Sequence, residues 1–278
     1  MPVLKHSVDA YNCAVLSDPS INGTAVDPLD FESNLLETLN EFRQKGIRGV
    51  WLKIRPSNAD LVPPAIRIGF AFHSATPEYL TLSVWLPKDE ESKLPPAAAH
   101  FIGVGCFVLN SHDEILMVRE KTGPSAKLTD FWKLPGGLCD RQEDIPVAAV
   151  RELREETALE SEFVSLAAIQ EVHHSAERAG PARTGTTDLY IICILKAKDE
   201  NQKIVPCERE IAEARWIPAK EVLSLPFYAA EGSVFSHMFH HSYKVASGQA
   251  PGFSYERLNL GFLPAKNNLF GAFTKSKL

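Results

Sequence analysis

The segment that most constrains this chain runs from Gly136 to Leu159. It opens with Gly136-Gly137, continues through a polar stretch to Glu143-Asp144, and ends in Ile145-Pro-Val-Ala-Ala-Val-Arg151-Glu152-Leu-Arg154-Glu155-Glu156-Thr-Ala-Leu159. Two adjacent glycines after Trp132-Lys-Leu-Pro135 call for a backbone that turns sharply or approaches something closely. Asp144 is placed to cap a helix, and Pro146 in the first turn forfeits only an N–H that would have had no partner. The spacing predicts a helix over Ile145 to Thr157. Ile145, Ala148, Ala149 and Leu153 share a face suited to a core, and Glu152, Glu155 and Glu156 converge on the adjoining face.

Like charges at i,i+3 and i,i+4 destabilise an isolated helix by about 0.2–0.5 kcal/mol per pair, so something should compensate. Arg151 and Arg154 can do part of this. Mg²⁺ or Mn²⁺ does it more completely, because hard cations prefer carboxylate, carbonyl and water oxygens. The overall charge gives that point weight. Lys plus Arg total 29 against 35 for Asp plus Glu, a net of −6, so the chain has no general attraction for a nucleic-acid backbone. Metal ions bridging two anionic partners would still let an acidic site take a diphosphate, polarise its phosphorus and lower the pKa of an attacking water. The competing reading, a solvated acidic helix face, needs no ligand.

The spacing G-x5-E-x7-R-E-U-x-E-E-x-G-U, with U aliphatic, resembles the Nudix box. Gly137, Glu143, Arg151, Glu152, Leu153, Glu155, Glu156 and Leu159 fit it, and only Ala158 departs, standing where the pattern has glycine. The resemblance implies that the residues from about His100 to Phe235 form a Nudix hydrolase domain, an αβα sandwich with the box as loop-helix-loop. It implies Glu152, Glu155 and Glu156 as metal ligands, with one of them the base, and the Gly137 carbonyl as a further ligand. Arg151 would orient the glutamates, and Glu143 would pair with it or join the metal network. Such a site cleaves a nucleoside diphosphate linked to a moiety X into NMP and phosphorylated X. A carboxylate from outside the box often joins; Glu208, Glu210 and Glu213 are candidates, with Glu210 preferred. An alanine held left-handed at Ala158 would cost roughly 1–2 kcal/mol unless the helix ends differently.

Proline and charge cluster from Leu86 to His100, which puts a domain boundary near residue 97. The expected division is 1–97, a small α/β domain; 98–235, the Nudix domain; and 236–278, a C-terminal helix and tail packing on it. In the first part, Asp27-Pro28 opens a helix with Phe31, Leu35, Leu39 and Phe42 on one stripe and Gly46 at its end. A strand over Gly49 to Ile54, a helix from Pro63-Pro64 to about Phe72 and a strand over Tyr79 to Leu86 follow. Through Leu35-Leu36, Gly49 to Ile54, Phe70 to His73 and Tyr79 to Leu86, this part resembles the acetyltransferase-like domain preceding the Nudix domain in one plant and animal subgroup. That resemblance favours ADP-ribose and NADH as substrates and a substrate-lid or dimerisation role for residues 1–97. An S-Q-P-W-P-F-P-x-S array that marks a NADH-preferring branch is matched only by Leu225-Pro-Phe-Tyr228.

Downstream, Ile102 to Leu109 and Glu114 to Val118 around Asn110-Ser-His-Asp113 read as a hairpin. Strands over Phe163 to Val172, Asp188 to Lys196 and Ala214 to Ile217, with helices over Lys220 to Leu223 and Val234 to Tyr243, make a mixed α+β domain. Substrate choice is expected in the Ser175 to Thr187 loop, and Phe253, Phe262, Phe270 and Phe273 suggest that the tail docks on the body. Trp216 reads as core. His173-His174 and His237, His240 and His241 read as surface or packing residues in preference to zinc ligands. The five cysteines, Cys13, Cys106, Cys139, Cys193 and Cys207, lack C-x-x-C spacing, and the start of the chain has no apolar signal region, so a cytoplasmic location is expected. No nucleic-acid or membrane partner is expected; the partner is a nucleoside diphosphate derivative, and a homodimer is left open. A nucleotide-binding protein with little turnover is the alternative to the hydrolase.

Overall fold

A computed structural model describes residues 3–9, 11–17, 26–122, 125–128, 131–173, 186–258 and 267–272. The chain divides into two compact units, Met1–Ala98 and Ala99–Leu278.

The first unit contains β1 (Ser7–Val8), β2 (Ala14–Leu16), α1 (Pro28–Gln44), β3 (Gly49–Ile54), a 3₁₀ segment (Pro56–Leu61), α2 (Val62–Ile68), β4 (Ala71–Ala75) and β5 (Leu80–Trp85). The strands form one sheet in the order β1-β2-β3-β5-β4, in which only β2 and β3 are parallel. Asp27 caps α1 by accepting the N–H groups of Leu29 and Asp30, and Phe31, Leu35, Leu39 and Phe42 bury their stripe against Val50, Leu52 and Leu82 of the sheet. The second helix is shorter than the sequence suggests. Gly69 takes a left-handed conformation at φ 108° and ends it, so Ala71 and Phe72 lie in β4 instead of continuing the helix.

The second unit contains β6 (His100–Val108), β7 (Glu114–Glu120), α3 (Ile145–Thr157), β8 (Ser161–His173), β9 (Thr187–Ala197), β10 (Ile211–Pro218), α4 (Ala219–Ser224), α5 (Pro226–Ala229), α6 (Val234–Ala246), β11 (Ser254–Leu258) and β12 (Asn267–Gly271). Alternate residues of β6 feed two cores. Val104, Cys106 and Val108 pack with Ala148, Ala149 and Leu153 of α3, while Phe107 packs with Met238 and Phe239 of α6. Helices therefore cover both faces of the strands, an αβα sandwich.

The expected β6–β7 hairpin does not form as a ladder. Its turn is present: Asn110 Oδ1 accepts the N–H groups of His112 and Glu114, and Asp113 sits at φ 60°. After one bridge, Leu109 to Ile115, the strands part. β6 pairs in parallel with β9, which pairs with β8, and β7 pairs with β10. From Gly103 to Val108 β6 is buried on both faces, and covering both requires a place between two helical layers.

The N-terminus of α3 differs from expectation, and its C-terminus takes the left-handed, strained alternative expected for Ala158. Asp144 occupies the N-cap position in extended conformation, but its side chain makes no cap bond; Oδ1 accepts from Asn268 Nδ2 at 2.9 Å. Ala158 adopts the left-handed conformation, φ 58° and ψ 5°, that suits glycine. Its N–H reaches the Arg154 carbonyl at 2.8 Å, and its own carbonyl accepts from Gln202 Nε2 at 2.5 Å. The surrounding bonds hold the strain in place. In the tail, Phe253 exchanges backbone bonds with Leu166, and Phe270 packs against the α3 core. Phe262, Phe273 and residues 174–185 of the expected substrate loop lie outside the described residues. Among the described residues no helix is long and apolar enough to cross a membrane. Ala158→Gly should relieve the left-handed alanine and raise unfolding stability by about 1 kcal/mol. Urea unfolding of the two proteins measures this, and an unchanged or lower midpoint for the variant would contradict it.

Candidate active site

The glycine pair packs against two different partners. Gly136 has φ 147°, and a Cβ there would lie 2.0 Å from the Val104 carbonyl oxygen. A Cβ on Gly137 would lie 2.7 Å from the Glu152 carboxylate. The loop thus presses on β6 at one glycine and on α3 at the next: only glycine fits at Gly136, and a side chain at Gly137 would have to displace the Glu152 carboxylate. It is also stitched to β6: Cys106 N–H donates to the Pro135 carbonyl, Val104 N–H to that of Gly137 and Cys139 N–H to that of Ile102, each at 2.8 Å.

Arg151 organises the glutamates. Its Nε and Nη2 donate to the two carboxylate oxygens of Glu143 at 2.8 Å each, a bidentate pair. Nη1 donates to Glu152 at 2.8 Å and to Glu155 at 3.2 Å, and Nη2 also reaches the Leu138 carbonyl at 3.2 Å. These partners push the guanidinium pKa up, and Arg151 in turn holds the Glu143 carboxyl below its ordinary range. Burial pushes Glu152 up, against the pull of Arg151.

Glu156 is set apart. It is 6% exposed, and Oε2 accepts the Gly136 N–H at 3.0 Å. Burial pushes its carboxyl up to about 7, although Lys133 and the Gly136 N–H oppose the shift. Glu143, Arg151, Glu152 and Glu155 therefore form one network, Glu156 belongs to the glycine loop, and Glu155 stands half exposed at the rim. Among the described residues no three carboxylate, imidazole or thiol side chains converge on one point. The donors are nonetheless all oxygens, and the glycine cradle brings the Glu152 carboxylate onto the loop backbone, which fits a hard cation such as Mg²⁺ or Mn²⁺. The Gly137 carbonyl already accepts from Val104 N–H and has one lone pair left to offer.

Glu210 lies exposed in the turn before β10, where its backbone carbonyl accepts from Lys121 N–H. The outside carboxylate that faces the glycine loop is Glu120. It pairs with Lys133 Nζ at 2.5 Å, accepts from the Ser125 hydroxyl and acts electrostatically on Glu156. Its signal was the strand itself: carried past Val118, the alternation puts Glu120 on the same face as Leu116, which packs under α3. Glu120, Lys133, Gly136 and Gly137 line a cleft of about 560 Å³, together with the rings of Phe131 and Phe227. The histidines lie elsewhere: His173 meets the Thr187 hydroxyl, His237 meets the Ser233 carbonyl, His240 and His241 are exposed, and His174 is outside the described residues.

A family model described as a NUDIX domain matches residues 99–238, half of the chain. The chain belongs to the Nudix family. A second model, described as a Nudix hydrolase domain, matches residues 4–86 of the first unit. Nudix hydrolase 8 of Arabidopsis thaliana is 39% identical over 79% of this chain and 57% of its own length. Nudix hydrolase 7 of the same plant is 30% identical over 91% of this chain and 85% of its own. Human nucleoside diphosphate-linked moiety X motif 6 is 35% identical over 71% of this chain and 60% of its own. The chain thus spans less than two thirds of the first and last of these relatives.

In this Nudix chain the buried Glu156 should give a distinct pH signature in the absence of metal. The folded carboxyl keeps its proton to about pH 7, while its ordinary value is 4.5. The stability contributed by the proton is therefore full below pH 4.5 and is lost as the pH rises through 7. Relative to Glu156→Gln, which cannot ionise, the parent chain should lose roughly 2–3 kcal/mol between those limits. Urea unfolding of both proteins in EDTA across that range measures the difference; a constant difference would exclude the shift.

Proposed function

We propose that this chain is a divalent-metal-dependent pyrophosphohydrolase that cleaves a nucleoside diphosphate linked to a moiety X into NMP and phosphorylated X. One observation carries the reading: the Glu152 carboxylate lies directly on the Gly137 backbone while Glu156 takes the Gly136 N–H, at the edge of a cleft that also holds Lys133. Bound Mg²⁺ or Mn²⁺ would supply charge neutralisation for the diphosphate and a water of lowered pKa. Glu152, Glu155 and Glu156 would supply the anionic oxygens to hold such a metal, and one of them would take the proton of the attacking water. Arg151 keeps Glu152 and Glu155 oriented, with Glu143 fixing the guanidinium plane from behind. Lys133 brings a cation to the cleft wall, where an anionic oxygen of the substrate can meet it.

ADP-ribose and NADH are the favoured substrates, a choice resting on the subgroup resemblance alone. Residues 1–97 are assigned a supporting role in substrate access or self-association on the same resemblance. Nucleotide binding with little turnover is the competing reading. The grip of Arg151 on both Glu152 and Glu155 is what favours it, since the same bonds that orient these carboxylates also occupy them.

With ADP-ribose or NADH and Mg²⁺, Glu152→Gln should lower kcat about 100-fold or more, equivalent to about 2.7 kcal/mol of barrier. It should also weaken Mn²⁺ binding followed by electron paramagnetic resonance, whereas Glu210→Gln should leave both near the parent values. Nucleotide binding without product in either metal would establish the binding reading instead.

A further inference from the structure

The left-handed alanine that ends α3 lies two residues from Glu156 and three from Glu155, so whatever holds it also bears on the carboxylates. A residue other than glycine stays in that conformation only where its surroundings over-determine it. We propose that Gln202 is a positioning residue for the site: by clamping Ala158 in its left-handed conformation it keeps the last turn of α3, and with it Glu155 and Glu156, in place against the glycine loop. The consequence for metal binding rests on the function proposed above; the clamp itself does not.

The last carbonyls of a helix have no partner within it. Here the loop between β9 and β10 supplies partners for Glu156, Thr157 and Ala158 in turn. Cys207 N–H donates to the Glu156 carbonyl at 3.0 Å, Val205 N–H to that of Thr157 at 2.9 Å and Gln202 Nε2 to that of Ala158 at 2.5 Å. Only the last donor is a side chain, and it bonds twice, because Gln202 Oε1 accepts the Glu160 N–H at 3.1 Å. One amide thus grips the backbone on both sides of Leu159, and its two partners fix which end faces which. The loop is shaped to deliver that amide: Asp199 accepts the Asn201 N–H through Oδ1 at 2.9 Å and the Gln202 N–H through its carbonyl at 3.2 Å.

What flanks Ala158 decides where its strain would be released. Downstream the chain is anchored, with Leu159 fully buried in the α3 core and the Glu160 carbonyl accepting from Lys198 N–H at 2.9 Å. Upstream lies the last turn of α3. If Ala158 left the left-handed region, that turn would absorb the change, and Glu156 Oε2 would be drawn off the Gly136 N–H that it accepts at 3.0 Å. Glycine meets no such penalty, so a chain with glycine here has no need of the amide. Gln202 answers the one position at which this box departs from the pattern.

The test compares the full chain with Gln202→Met, which keeps the length of the side chain and removes both bonds, and with Gln202→Met/Ala158→Gly. In metal-free buffer, amide hydrogen exchange read residue by residue should be faster in Gln202→Met at Gly136 and Ala158, and by a larger factor than at the buried Val104 N–H, which reports the fold as a whole. Mn²⁺ titrated into Gln202→Met should bind about ten-fold more weakly than to the parent. Adding Ala158→Gly should return both readouts to near the parent values, which a simple loss of loop packing would not allow. The assignment is overturned if Gln202→Met leaves Gly136 exchange unchanged, if the three amides accelerate alike, if a parent that binds Mn²⁺ loses no affinity on Gln202→Met, or if the added glycine recovers nothing. A parent that binds no Mn²⁺ yet shows the faster exchange and its recovery would sink the metal-site reading and leave the clamp standing.

Discussion

The carboxylate network of this site depends on one guanidinium. Four glutamates of the motif lie on or beside α3, and three of them, Glu143, Glu152 and Glu155, share Arg151. Only a planar fork with five N–H groups can serve several carboxylates and a backbone carbonyl at once, and an ammonium at the same position could not. The bidentate bond to Glu143 is what makes the arrangement directional. It fixes the plane of the guanidinium from one side, so that the remaining N–H groups present themselves to the helix at set angles. Without that fixed cation, Glu152 would be a half-buried charge facing other carboxylates, and the helix would be under strain from its own sequence.

Glu156 escapes this control, with a chemical consequence. Being on the buried side of α3, it is answered only by one backbone N–H and by the field of Lys133. Burial then outweighs its partners and the carboxyl rises to about 7, while Glu143, with two guanidinium bonds, goes the other way. Two carboxylates of one motif are thus driven apart in acidity by their surroundings alone, the usual physical basis for giving like groups unlike tasks. The glycine loop makes this possible, because a side chain at Gly136 or Gly137 would drive the loop off β6 or displace Glu152.

Features set by short-range spacing were legible in the sequence. The bounds of α3, its apolar face and the stripe of α1 all follow from helical periodicity and from their flanking residues, and the glycine pair announced a close approach. What escaped the sequence depends on which chain segment lies opposite. Asp144 has the right identity and backbone for a cap, yet its carboxylate goes to Asn268, more than a hundred residues away. The turn at Asn110 to Asp113 formed, but pairing was decided by β9 and β10, which no local pattern near the turn encodes. Glu120 was hidden by a strand boundary placed two residues early. The contacts of Phe227 with Phe131 and Phe235 were hidden because the three come from separate stretches, brought together where Tyr228 bonds to the Trp132 carbonyl.

The charge of the site gives the chain's net of −6 a location. Glu120, Glu143, Glu152, Glu155 and Glu156 face Lys133 and Arg151, so with every group ionised the local charge is −3, and −2 when Glu156 holds its proton. Arg151 is already committed to three of those carboxylates, leaving Lys133 as the cation on the cleft wall, itself paired with Glu120. A diphosphate entering such a cleft meets net repulsion, and protonating one carboxyl does not reverse its sign. Binding there requires added positive charge, which divalent cations on the box glutamates would provide. On this argument a phosphate-bearing ligand would be accepted beside these carboxylates only together with added positive charge.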